Sequence, residues 1–160
     1  MRRGRVAVAG RVRTMAVLEV VNVAVIGWFV FGALDAPVSA ANAAGFLASA
    51  GLLLVGAAYW MAKLGQVRSA LRRPRHLEAF RLVRIACLVG LLAAGVVVAA
   101  AVGDPARRFV PGLTLFLLAV AEYVNYFHWQ LMYDNRADLQ RLFRTRRLAR
   151  AHLHRDLHPG

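Results

Sequence analysis

The chain has 160 residues, 59% of them hydrophobic, and a mean hydropathy of +0.51, which excludes an ordinary soluble domain and makes a lipid bilayer the expected solvent. Its formal charge of +13, from 21 Lys+Arg against 8 Asp+Glu, would point to nucleic acid in a soluble protein. Here the basic residues avoid the apolar stretches and gather between and beyond them, the distribution that orients membrane proteins, so no nucleic-acid partner is expected.

A membrane-crossing helix needs about 20 mostly apolar residues at a rise of about 1.5 Å each. Four segments meet that requirement, 14–34, 39–62, 82–102 and 109–132, and predict an all-α fold: a four-helix transmembrane bundle forming a single integral membrane domain over 1–160. The first is closed by Asp35-Ala36-Pro37. Its connection to the second is short, so the two form an antiparallel hairpin. Val38-Ser39-Ala40 resembles a signal-peptide cleavage site, but the apolar stretch before it is too long for a signal peptide and carries Glu19 and Asn22. The second helix ends at the aromatic pair Tyr59-Trp60. A basic connection, 63–81, follows, in which Pro74 separates two short helical extensions. The third helix is nearly featureless apart from Cys87, the only cysteine, which excludes an intrachain disulfide or a cysteine metal cluster. Gly103-Asp104-Pro105 and Pro111-Gly112 bracket the turn into the fourth helix.

Lys and Arg number five before the first helix, none between the first and second, seven from Lys63 to Arg84, two between the third and fourth, and seven after the fourth. Only an N-in, C-in topology fits that alternation. Lys63 is the only lysine. An arginine-dominated chain of this kind suggests a GC-rich bacterial source, and with it the bacterial cytoplasmic (inner) membrane. The central loop and the tail, 133–160, then read as basic amphipathic cytoplasmic segments, with Leu139, Leu142, Phe143, Leu153 and Leu157 spaced among the tail's arginines. Arg72, Arg73 and Arg75 in the loop, and Arg144, Arg146 and Arg147 in the tail, are the candidates for contact with anionic lipid headgroups.

Polar groups inside the apolar segments carry the rest of the information, because an ionisable residue at mid-membrane costs about 2.5–3.5 kcal/mol even on lenient scales. These are Glu19 and Asn22 in the first helix, Asn42 in the second, and Glu122, Asn125 and His128 in the fourth. Helical spacing aligns Glu19 with Asn22, Val23 and Ile26, and Glu122 with Asn125, Tyr126, Trp129 and Tyr133. The first and fourth helices are antiparallel, and Glu19 lies about 7 Å inside the boundary. The two polar stripes are therefore expected to meet at one depth, as interhelical hydrogen bonds or as a proton- or substrate-binding cluster. His128, among Phe127, Trp129 and Tyr126, reads as interfacial. The His-rich end of the tail, His152 to His158, lacks the spacing of a metal site. Gly45, Gly51, Gly90 and Gly95 are read as points of close helix approach.

The run from Glu122 to Asn135, EYVNYFHWQLMYDN, with Asp138-Leu139 and Arg155-Asp156-Leu157 after it, resembles an uncharacterised group of small bacterial four-helix membrane proteins. The resemblance covers the last quarter of the chain and implies the fold, but no activity. Small multidrug transporters share the four helices and a first-helix glutamate. The long basic centre, the tail and Glu122 depart from them.

No nucleophile elbow, phosphate-binding glycine loop or zinc-protease helix is present, so catalytic residues and cofactors are not expected. The sequence points first to a non-enzymatic membrane accessory, scaffold or regulatory protein, whose partners are membrane lipids and a protein or a second copy of itself. A small oligomeric proton-coupled transporter using Glu122 and Glu19 is the second expectation. A membrane-embedded enzyme using Glu122 and His128 is a distant third.

Overall fold

The computed structural model describes residues 2–69, 77–129, 151 and 153. Four helices carry them: α1 (Arg2–Gly27), which continues as a π-helical stretch (Trp28–Ala33), α2 (Ala40–Ser69), α3 (Leu77–Ala100) and α4 (Ala106–Phe127). There is no strand among the described residues, and all four helices are long and apolar enough to cross a membrane. The chain is thus all-α, with the composition and helix lengths of a membrane four-helix bundle. α1 and α3 begin, and α2 and α4 finish, at what we call the basic end. The α1–α2 and α3–α4 connections lie at the opposite, turn end.

Helix ends depart from the apolar spans in three places, each for a local reason. α1 extends back to Arg2, since no helix breaker precedes Pro37. The expected loop 63–81 is mostly helix: α2 runs on to Ser69 and α3 starts at Leu77, leaving the region of Pro74 between them. α4 starts earlier and stops earlier than the span 109–132. Pro111-Gly112 lies inside it and does not bound the turn. At its other end His128 leaves helical geometry (φ −128°, ψ −72°), and the N–H groups of His128 and Trp129 both donate to the Val124 carbonyl, at 2.9 and 2.8 Å.

α2 is the hub, packing against α1, α3 and α4. Half of its most apolar window is buried, against 11% for α1 and 17% for α3. Its buried residues Asn42, Gly45, Ser49, Leu52, Gly56 and Tyr59 recur every three or four positions and form a seam. The parallel neighbour α4 answers with Gly112, Leu115, Ala119, Tyr123 and Tyr126. Small residues let the backbones touch: a Cβ on Gly45 would collide with the Gly112 carbonyl, and one on Gly112 with the Ala41 carbonyl. Gly95 packs similarly, with Phe116 Cζ 3.1 Å from where its Cβ would sit, whereas nothing lies within 4 Å of a Cβ at Gly51 or Gly90.

Aromatic packing fills the basic-end half of the core. Tyr59, Phe80, Tyr123, Tyr126 and Phe127 are buried together with Leu52, Leu91 and Ala119, and the Tyr59 and Phe80 rings meet edge-to-face at 5.9 Å. Leu153 belongs to the same core and is 2% exposed. Ala151 donates its N–H to the His128 carbonyl at 3.2 Å. The sequence reading placed Leu153 on the apolar face of a surface helix, and it is instead a core residue. A smaller cluster of Val30, Ala36 and Leu115 holds the turn end.

Candidate functional site

Two polar assemblies sit within the apolar bundle. The first joins three helices near the basic end. Glu19 lies on the buried seam of α1, which runs through Val12, Ala16 and Val30, and is half-buried. Tyr126, buried on α4, reaches across α2 and donates its hydroxyl to Glu19 Oε1 at 2.7 Å. Gly56 makes that bond possible. A Cβ there would collide with the Tyr126 hydroxyl and lie 3.2 Å from Glu19 Oε1. Glu122 lies one turn before Tyr126 on α4, and Asn125 Nδ2 donates to its Oε2 at 3.4 Å, a long and weak bond. A phenol has one proton to give and lone pairs to accept with. Tyr126 gives that proton to Glu19.

The polar stripes do meet, though not residue for residue as expected. Glu19 contacts Tyr126, while Asn22 is exposed, because it falls off the α1 seam that Glu19 lies on. Trp129 is not on the Glu122 stripe, since α4 ends at Phe127. His128 is half-buried just beyond that end, its ring 5.6 Å from that of Tyr123. Arg72, Arg73, Arg75, Arg144, Arg146 and Arg147 lie outside the described residues, as does Tyr133. Among the described residues no three His, Cys, Asp or Glu side chains converge as a metal ion would need.

The second assembly is at the turn end and centres on Asn42, which is completely buried. Pro111 has no N–H, so the Arg107 carbonyl four residues back loses its helical partner. Asn42 Nδ2 donates to that carbonyl at 3.0 Å and to the Pro37 carbonyl at 2.9 Å. Its Oδ1 accepts the Gly112 N–H at 2.8 Å. Ser39 works beside it: the hydroxyl oxygen accepts the Asn42 N–H at 3.2 Å, capping α2, and its proton goes to the Arg108 carbonyl at 2.5 Å. One side chain from each of two positions thus satisfies the backbone around the proline of α4. The sequence marked Asn42 as a costly polar residue. Its partners, and the part played by Ser39, Gly56 and Gly112, had no local signal.

Outside this stitch, Arg107 Nη2 donates to the Asp35 carbonyl at 2.8 Å and to Asp35 Oδ2 at 3.2 Å. Asp35 has φ +48°, in the left-handed region that few side chains tolerate and aspartate tolerates better than most. That backbone turn carries the chain from the end of α1 past the first turn of α4.

Neither a family model, nor a curated protein, nor a solved structure matches the chain.

Proposed function

We propose that this chain is a non-enzymatic component of the bacterial cytoplasmic membrane, an accessory, scaffold or regulatory protein with both ends in the cytoplasm. The observation that carries the reading is the Tyr126–Glu19 bond across Gly56. A membrane protein that places glutamates in two spanning helices must offset their cost, and here the offset is a link between α1 and α4. α1 packs along α2 yet is only 11% buried over its apolar window, and this bond is its tie to α4. Its remaining apolar surface, with Val17, Leu18, Val21 and Val25 exposed, faces lipid or a partner helix, from another protein or a second copy. The basic loop and tail, including Arg72, Arg73, Arg75, Arg144, Arg146 and Arg147, lie against anionic headgroups on the cytoplasmic side.

One feature favours a second reading, a proton-coupled transporter. Glu19, the Tyr126 phenol bonded to it, and Glu122 one turn along α4 are the ionisable groups that a proton path through the bundle would use. Reconstituted vesicles separate the two. For an accessory protein, Glu122→Gln stays folded because an amide still hydrogen-bonds, Glu122→Leu loses stability or assembly, and the wild-type vesicles pass no more protons than empty ones. Substrate-dependent proton flux that disappears in a folded Glu122→Gln protein would establish the transporter and overturn the accessory reading. Reporter fusions at each terminus test the topology directly, and a reporter active only outside the cytoplasm contradicts it.

A further inference from the structure

Three departures from regular helix meet at one corner of the turn end: the π-helical finish of α1, the left-handed Asp35, and Pro111 in α4. Between them lies a groove of about 290 Å³, lined by Leu34, Ala36, Ala106, Arg107, Val110 and Pro111. All but one of these are apolar, and Leu34 and Val110, on its walls, are each 49% exposed. Compact small-molecule sites run from about 300 to 1,000 Å³ and enclose most of their ligand. This groove is at the lower edge of that range and open along its side. It fits a length of alkyl chain that continues outward into hydrocarbon.

Its polar rim selects the rest of the molecule. The Arg107 guanidinium has five N–H donors and spends only those on Nη2, both on Asp35. The Nε–H and the Nη1–H groups are available, among the described residues, for single-point charge-assisted bonds to a phosphate. Arg107 and Arg108 occupy the first turn of α4, where the helix dipole disfavours positive charge and favours an anion. Yet the corner is not simply basic. The one arginine that lines the groove, Arg107, is paired with Asp35, so its charge is balanced there by one carboxylate. A headgroup that pairs its phosphate with a cation of its own matches that balance. A headgroup with net negative charge does not.

We propose that this corner binds one glycerophospholipid with an ethanolamine headgroup, its acyl chain against Leu34, Val110 and Pro111, its phosphate on Arg107 and its ammonium on Asp35. The site is at the end of the bundle opposite to where α2 and α4 finish. It rests on the membrane placement of the helices and not on the accessory role.

The test uses the full chain, equilibrated with vesicles of equal phosphatidylethanolamine and phosphatidylglycerol, extracted in mild detergent and weighed intact by native mass spectrometry. One phosphatidylethanolamine per chain is expected to stay bound in preference to phosphatidylglycerol. Val110→Trp fills the groove from an exposed wall, and Arg107→Gln removes the phosphate contact. Each should lower retention about tenfold, the equivalent of losing one charge-assisted contact or its apolar counterpart, and Val110→Trp should do so with the melting temperature of the lipid-free protein unchanged. Leu34→Trp, from the opposite wall, replaces Val110→Trp if that variant fails to fold. Equal or greater retention of phosphatidylglycerol, no retained lipid, or retention unaffected by a folded tryptophan variant each overturns the proposal. Because the terminal reporters read topology separately, a failure here is distinguishable from a failure of membrane placement.

Discussion

Replacing Asn42 by alanine should be among the most damaging single changes outside the aromatic core, and its cost should depend on Pro111. Asn42 makes three bonds, to the carbonyls of Pro37 and Arg107 and from the Gly112 N–H. Measured interhelical hydrogen bonds in membranes average about 0.6 kcal/mol, which would put the loss near 2 kcal/mol. A buried backbone group left unpaired costs about 1–3 kcal/mol, however, and the Arg107 carbonyl has no helical donor to fall back on, because residue 111 is proline. We therefore expect Asn42→Ala to cost about 3 kcal/mol, measured by reversible unfolding in mixed micelles. In a Pro111→Ala background the carbonyl regains an N–H, and the same substitution should cost about 1 kcal/mol less, a coupling that a double-mutant cycle resolves. Equal costs in the two backgrounds would refute the pairing of Asn42 with the proline's orphan carbonyl. A cost below about 1 kcal/mol would refute the burial argument as a whole.

Gly45→Ala and Gly51→Ala should differ in sign: the first drives a Cβ into the Gly112 carbonyl and should cost about 2 kcal/mol or more, while the second meets nothing within 4 Å and should be neutral or stabilise α2 by up to about 1 kcal/mol. The same unfolding measurement decides. Tyr126→Phe should lower stability by about 1 kcal/mol through loss of the Glu19 bond, and an unchanged midpoint would remove that bond as the tie between α1 and α4. Leu153→Ala should cost about 2–5 kcal/mol because its side chain is 2% exposed in the core, and a change under about 0.5 kcal/mol would mean that this residue is not docked.

The polar residues that matter were legible because each breaks the apolar pattern of a spanning helix, and that rule finds Glu19, Asn42, Glu122 and Asn125 without a structure. It also finds Asn22, and there it misleads. A spacing of three puts Asn22 about 60° round the helix from Glu19. On a helix that buries only a narrow stripe, through Val12, Ala16 and Val30, such a rotation moves a side chain from half-buried to exposed. α2 would have tolerated the same rotation, since it is packed on several sides. The width of the buried stripe depends on how many neighbours a helix has, which is a property of the bundle and not of the segment.

The same distinction separates the two ends of α4. Pro111 marks a missing N–H from sequence alone, but with the helix expected to begin at 109 the Arg107 carbonyl lay outside it, so the orphan group and its partner, Asn42, became visible only with α4 starting at Ala106. Nothing in Phe127-His128-Trp129 announces a stop. The helix ends where the His128 carbonyl receives the Ala151 N–H and Leu153 enters the core, contacts made from more than twenty residues away. A helix terminus set by a local breaker should survive removal of distant chain, and one set by docking should not. Leu153→Ala is therefore a probe of α4 as well as of the tail. If docking fixes the end at Phe127, undocking should let the helix continue toward its apolar limit near 132, a gain in helicity that accompanies a loss in stability.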